Sequence, residues 1–290
     1  MIGYWLVKLI SKALCVLPEG FGRWLGRNLG KLIVLCCPGW RIRMAGRNIR
    51  QCLGVDEGTA KGIARASLER FGPMAVEVLK FPLLNKDNIS DKVQVEGWEH
   101  LEAAAAEGRG AVIATGHFGN WELLGALVGL NGYKLLSIAR HQNQGGMNKL
   151  INEYREMVGQ EITYNRGESH FFQIVRKLKQ KYVIGVIFDQ DTNDIGANIP
   201  IFGKQCIVPD GAAALSRINK APIVPIFIHD EKDGVAKAKI YPVLHCNDKN
   251  DYTPTMEKLV AILEEEIRQN PSMWFWVHDR WKDGREMDKK

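Results

Sequence analysis

The N-terminal region has no stretch that is both long and uncharged. Its charge-free runs, Met1 to Val7, Ala13 to Pro18 and Leu32 to Trp40, fall well short of the roughly 20 apolar residues that a spanning helix needs, so no ordinary transmembrane helix is predicted. Lys8 and Lys12 also interrupt the place where a signal peptide keeps its apolar segment, and no small-x-small site follows, so a cleaved leader is not expected. Cysteine is sparse: the six, at 15, 36, 37, 52, 206 and 246, include no Cys-x-x-Cys pair. That argues against a zinc site or a disulfide framework, and for small hydrophobes in a reducing compartment. A glycine-rich Gly-x-Gly-x-x-Gly, internal repeats and low-complexity tracts are missing too. What is present, 46% hydrophobic and 25% charged residues with 29 glycines in 290, is an ordinary globular composition that excludes collagen-like and disordered classes.

Acid is scarce at one end. Residues 1–50 hold nine Lys and Arg against the single acid Glu19, a balance of +8 in a chain whose total is +6. A basic excess confined to the most apolar end points to an anionic phospholipid surface rather than nucleic acid, because both attractions then act on one face. From Tyr4 to Leu17, Lys8 and Lys12 stand on one helical face, with Trp5, Leu6, Leu9, Ile10, Ala13, Val16 and Leu17 on the other. Pro18 and Gly20 break the pattern. Phe21, Trp24, Leu25, Asn28, Leu32 and Cys36 then make a second face opposite Arg23, Arg27 and Lys31. Two amphipathic helices with basic ladders and Trp5, Trp24 and Trp40 suit a monotopic membrane interface. The alternative is a helical hairpin covering a sheet, its basic faces simply solvated. Residues 1–50 are therefore expected to be a membrane-attachment region and 51–290 the α/β domain.

A capped helix is predicted from Asp56 towards Leu79, and a linker from Pro82 to Lys92. Strands are then expected at 93–95, 111–115, 134–139, 161–164, 182–188 and 223–228, and helices at 98–107, 121–128, 147–158, 170–180, 211–219 and 254–269, with an antiparallel strand at 236–244 and a final apolar run at 273–277. Such alternation with near-continuous apolar strands implies an α/β fold, its mixed but largely parallel sheet covered by helices on both faces.

Reactive groups in such sheets collect past the carboxyl ends of the strands. His117 follows a strand there, and Glu122 stands five residues later in the first turn of a helix. That spacing can fold the carboxylate back onto the imidazole, as a general base requires. Arg140 with His141, and Asp189-Gln190-Asp191, close two further strands, so a base, a cation and carboxylates meet at one edge if the strands are parallel. Each has a bland counterpart: a structural histidine, an acid serving a helix dipole, a surface ion pair, turn-forming aspartates.

At these residues the chain resembles the late acyltransferases of bacterial lipid A biosynthesis, within the wider glycerolipid acyltransferase superfamily. The shared elements are the His-x4-acid motif His117-Phe-Gly-Asn-Trp-Glu122, the strand-end Arg140, the Asp189-Gln190-Asp191 run with Phe202-Gly203 downstream, Ala221-Pro-Ile-Val-Pro225, and the tail Pro271-Ser-Met-Trp-Phe-Trp-Val-His-Asp-Arg-Trp. The resemblance implies transfer of a fatty acyl group from acyl-carrier protein or acyl-CoA to a hydroxyl of a membrane glycolipid, on the cytoplasmic face of the inner membrane. It implies His117 as base, Glu122 as the group that holds it, Arg140 on the phosphate or polar headgroup of an anionic lipid, and Asp189 or Asp191 either on sugar hydroxyls or positioning Arg140; backbone near Gly119 and Asn120 is the candidate for the oxyanion. No metal, no cofactor beyond the acyl donor and no nucleic acid partner are expected. Acceptors such as phosphatidylinositol mannosides, ornithine lipids or lysophospholipids remain open, as does a non-catalytic peripheral membrane protein; a metal hydrolase built on His117, His141 and Asp191 lacks a strong ligand pair.

Overall fold

The computed structural model describes residues 2–139, 145–164, 168–190, 196–230, 234–247 and 251–281. The chain opens with helices α1 (Ile2–Val16), α2 (Glu19–Cys36) and α3 (Gly39–Leu53), separated at Pro18 and Pro38. Proline lacks the N–H that a helix interior needs, so it suits only such starts. Gly54 ends α3 in the left-handed conformation, φ +69°, its N–H on the Arg50 carbonyl.

The predicted long helix from Asp56 is instead two. Asp56 caps α4 (Glu57–Glu69) by accepting the Thr59 N–H at 3.0 Å, and α5 (Phe71–Leu79) restarts after Arg70. Pro73 cannot donate to the Glu69 carbonyl, which frees the chain to bend there. α2 fits into that bend through glycine. A Cβ on Gly30 would lie 2.0 Å from the Glu69 carbonyl oxygen, and one on Gly72 would lie 2.2 Å from that of Gly26. Gly22, Gly26 and Gly30 make the buried side of α2, a side the sequence reading did not single out, while Phe21, Trp24 and Leu32 of the expected apolar face are exposed. Close backbone approach between two helices selects the side with no side chains.

The sheet elements follow: β1 (Val93–Glu96), α6 (Trp98–Ala106), β2 (Ala111–Thr115), α7 (Trp121–Leu130), β3 (Leu135–Ala139), α8 (Gly145–Met157), β4 (Gln160–Tyr164), α9 (Glu168–Lys179), β5 (Val183–Ile187), the short pair β6 (Ala197–Asn198) and β7 (Ile207–Val208), α10 (Gly211–Asn219), β8 (Ile223–Asp230), β9 (Ala236–Ile240) and α11 (Thr253–Gln269). Seven strands form one sheet in the order β1-β9-β8-β2-β5-β3-β4. Every pairing in it is parallel except β8 with β9. β2 lies inside and is buried on both faces. Val112 and Ala114 join a core with Phe188, Phe227, Leu263 and Trp274, whereas Ala111 and Ile113 join another with Leu101, Leu124 and Leu127. This is the predicted architecture. The β6–β7 pair was not foreseen, since two-residue strands carry no alternation to read.

α1 is fastened to α8. The Tyr4 hydroxyl donates to Glu153 at 2.7 Å and the Lys8 ammonium lies 2.9 Å from the same carboxylate. Lys8 thus faces the protein body, in correction of its place with Lys12 in a basic ladder at the membrane surface; Trp5, Leu6 and Leu9 are exposed. No helix among the described residues is long and apolar enough to cross a membrane.

Candidate active site

β2 and β5 run side by side with Thr115 opposite Ile187. His117 lies two residues past the first, Asp189 two past the second, so parallel register delivers both to the same level beyond the sheet. Their side chains meet, with His117 Nδ1 2.7 Å from Asp189 Oδ1. A carboxylate only accepts, so Nδ1 carries a proton, and in the neutral ring the lone pair is on Nε2. The imidazole is 20% exposed and Asp189 is fully buried. Among the described residues nothing hydrogen-bonds Nε2, the edge left for a substrate.

Gly119 shapes the loop that turns the imidazole outward. Its φ is +59°, and a Cβ there would lie 1.5 Å from the Ile228 carbonyl oxygen, so only glycine fits. The loop is laced to the tail after the short turn Pro271–Met273: Gly119 N–H donates to Met273 O and Phe275 N–H to His117 O, each at 3.0 Å. The Gly119 N–H is therefore engaged, in correction of its assignment to an oxyanion. Trp121 and Phe275 wall the imidazole at ring distances of 5.1 and 6.4 Å, and Phe71 touches both walls.

Asp189 is held by the tail. Its Oδ2 accepts the Trp274 indole N–H at 2.7 Å and Arg280 Nη2 at 3.0 Å, and its main-chain carbonyl accepts Arg280 Nε at 2.6 Å. Burial alone would raise the Asp189 pKa, but the His117 and Arg280 charges with the hydrogen bonds from His117 and Trp274 hold it well below the usual carboxylate range. It stays ionised. Beside it, burial and the Arg280 charge push the His278 pKa down to about 4, so that ring stays neutral at ordinary pH.

The expected pairing of His117 with Glu122 is overturned. Glu122 accepts Arg155 Nε at 2.8 Å and Nη2 at 2.5 Å in a bidentate fork, plus the Trp121 indole at 3.2 Å. Glu122 is mostly buried in the first turn of α7, and Arg155 in the last turn of α8 is its cation. Burial works against the Arg155 charge, yet the fork outweighs it and the pKa is raised. The carboxylate that orients the imidazole is Asp189. That also removes Asp189 from contact with sugar hydroxyls, because it is sealed from solvent and its oxygens are occupied. Asn120 is engaged at both ends, accepting the Leu123 N–H as the cap of α7 and donating to Glu77 at 2.5 Å, so its side chain is not free for substrate. Glu77 is exposed at the edge of α5 yet closely surrounded by protein, and this crowding together with the Asp230 charge pushes its carboxyl up to about 7. Arg140, His141 and Asp191 lie outside the described residues.

Trp274, Arg280, Arg155 and Glu77 were not assigned roles from sequence. The first two stand in the tail motif, which was visible; Arg155 and Glu77 reach the site from helices whose packing no local pattern announces.

A histidine oriented by a buried carboxylate beyond parallel strands, with no serine or cysteine at its free nitrogen among the described residues, has the geometry of a general base. Residues 1–283 match the family described as bacterial lipid A biosynthesis acyltransferase, and the chain belongs to it. It is an acyltransferase. It is similar to a phosphatidylinositol mannoside acyltransferase of Mycobacterium tuberculosis (26% identical over 240 residues, 81% of this chain and 75% of that protein). It is also similar to the lipid A biosynthesis palmitoleoyltransferase of Escherichia coli K12 (27% over 206 residues, 65% and 61%) and to a lipid A biosynthesis acyltransferase of Haemophilus influenzae (22% over 298 residues, 96% and 90%).

Proposed function

We propose that the protein moves a fatty acyl chain from an acyl-carrier-protein or acyl-CoA thioester to a hydroxyl of a membrane glycolipid, with His117 as general base and Asp189 as its orienting partner. The observation that carries this reading is the 2.7 Å contact from Nδ1 to a buried, ionised carboxylate, with Nε2 left open. Nε2 takes the proton of the acceptor hydroxyl as its oxygen attacks the thioester carbonyl; the tetrahedral intermediate then collapses, the C–S bond breaks, and the imidazolium returns the proton to the leaving thiolate. Asp189 stabilises the imidazolium without taking its proton. Glu122 acts through Arg155 as a positioning residue, fixing the start of α7 beside the His117 loop. Arg140 and Asp191 are retained as acceptor-binding residues.

The names of the relatives divide between lipid A and phosphatidylinositol mannoside, and we take their common chemistry, a hydroxyl on a membrane glycolipid. Attachment to the cytoplasmic face of the inner membrane through residues 1–50 is supported by the exposed Trp5, Leu9, Val16, Trp24, Leu35 and Trp40 in a segment with nine basic side chains and one acid. The test incubates purified protein with labelled acyl-carrier protein or acyl-CoA and a panel of lipid A precursors, phosphatidylinositol mannosides and lysophospholipids, followed by mass spectrometry. An acylated glycolipid is expected; thioester hydrolysis alone, or acylation of lysophospholipid only, would overturn the reading.

A further inference from the structure

α3 carries Arg43 and Arg47 one turn apart on its outer face, and they line a shallow groove of about 390 Å³ with Trp40, Met44 and Asp279. Both side chains are exposed, and among the described residues neither guanidinium meets a carboxylate or donates a hydrogen bond. Three other N-terminal cations do find an acid: Lys8 pairs with Glu153, Arg23 with Glu19, and Arg50 stands 4.0 Å from Glu57. Like charges at this spacing destabilise a helix slightly. The helix cannot roll to separate them from the groove, because Met44, Ala45, Asn48 and Ile49 are buried on its inner side.

We propose that this groove binds the phosphate of a membrane-lipid headgroup, an assignment that rests on reading the chain as an enzyme of the lipid surface. Two planar donors a turn apart match the oxygens of one phosphate. The depth fits as well. Trp40, 52% exposed with Arg41 over its ring at 5.0 Å, forms one lip, and the exposed Leu32 and Leu35 precede it at the end of α2. Tryptophan and arginine at the border of an apolar surface sit at headgroup level. Asp279 forms the opposite wall. The occupant is therefore the phosphodiester of an anionic phospholipid headgroup, held by the two guanidinium groups at the level set by the exposed Trp40, Leu32 and Leu35. Asp279 immediately precedes Arg280, the clamp on Asp189, so the groove lies one residue from the catalytic scaffold.

The experiment measures binding of the full chain to phosphatidylcholine vesicles with and without a minor fraction of phosphatidylinositol, in the absence of acyl donor. R43A/R47A is expected to weaken binding to the phosphatidylinositol vesicles by about tenfold or more. R43K/R47K keeps the charge but loses the forks, so it should also bind measurably worse than the parent. The K12A/K31A control, which removes equal charge elsewhere on the same surface, should lose less than R43A/R47A. If R43K/R47K matches the parent and the two alanine pairs lose binding equally, the attraction is diffuse and the site is refuted. If vesicle binding survives R43A/R47A while binding to acyl-carrier protein falls, the groove serves the donor and the lipid assignment is wrong; displacement by soluble inositol phosphate with no effect of vesicles refutes it too. Because no turnover is measured, a parent protein inactive towards every acceptor but retaining Arg43- and Arg47-dependent binding would overturn the acyl-transfer reading and leave the groove standing.

Discussion

Arg280 grips Asp189 twice, through the main-chain carbonyl at 2.6 Å and through the carboxylate at 3.0 Å. One guanidinium thus fixes both where the Asp189 backbone runs and where its side chain points, and the second carboxylate oxygen remains for His117. Arg280 is fully buried with the Trp274 ring 3.9 Å from its central carbon. A lysine there keeps charge but not two directed contacts, so Arg280→Lys should lower turnover with intact acceptor affinity. Unchanged kcat in a folded Lys variant would show that the double grip is dispensable.

Removal of the base or of its partner should be costly in rate. His117→Ala and Asp189→Asn are each expected to reduce turnover by about 10²-fold or more, the scale of general-base catalysis. The Asn variant fails because an amide can stabilise neither the required tautomer nor the imidazolium. Steady-state rates with folding checked by circular dichroism decide it, and near-parental turnover in His117→Ala would remove histidine from the mechanism.

Glu122 and Arg155 predict a separable stability effect. Glu122→Gln leaves a mostly buried guanidinium without its counter-ion, which should cost roughly 3 kcal/mol, the low end of the range for a broken buried pair, because both side chains keep some exposure. Glu122→Gln with Arg155→Met should recover much of that loss in urea unfolding. Activity regained along with stability identifies the pair as positioning; stability regained without activity would give Glu122 a direct chemical part.

Glu77 should leave a pH signature. Its folded-state pKa, about 7, is raised above the ordinary glutamate value, so the contribution to stability is present at low pH and is lost as pH rises through about 7. Glu77→Gln should therefore raise the melting temperature relative to the parent at pH 8 and not at pH 4. A difference that does not vary with pH would mean that the crowding around Glu77 does not perturb its ionisation.

At the α2–α5 crossing, Gly30→Ala places a methyl 2.0 Å from the Glu69 carbonyl oxygen and should destabilise by about 1–3 kcal/mol, as overpacking does. Gly46 is the control. Its Cβ would meet nothing within 4 Å, so Gly46→Ala should be neutral or stabilise by about 0.5–1 kcal/mol through helix propensity. Thermal melts of the two variants test the crossing directly, and equal melting temperatures would refute it.

The sheet was legible because β2, β5 and β8 are continuous apolar runs bounded by turns, and such runs leave little choice of structure. The site was legible in its location more than in its pairing. His117 and Glu122 are close in sequence, and a local fold-back was the natural expectation. The contact that forms instead depends on Thr115 lying beside Ile187, a register known only once β2 and β5 are neighbours. Arg155 could not be foreseen either, since it meets Glu122 through the packing of α8 on α7. In α2 the large residues drew attention, while the informative spacing was Gly22, Gly26 and Gly30, whose meaning required knowing that α5 bends opposite them.

The lacing of the His117 loop to the tail has a consequence for the order of assembly. Met273, Trp274, Phe275 and Arg280 supply the contacts that hold Gly119, Asp189 and the His117 carbonyl, and they are made more than eighty residues after the strands they stitch together. A nascent chain that has already formed β2 and β5 still has a hydrated, unclamped Asp189 and an untethered imidazole. With His117 as the proposed base, competence to deprotonate a hydroxyl would arrive only with the tail, and a chain clipped before Met273 should consume little activated acyl donor.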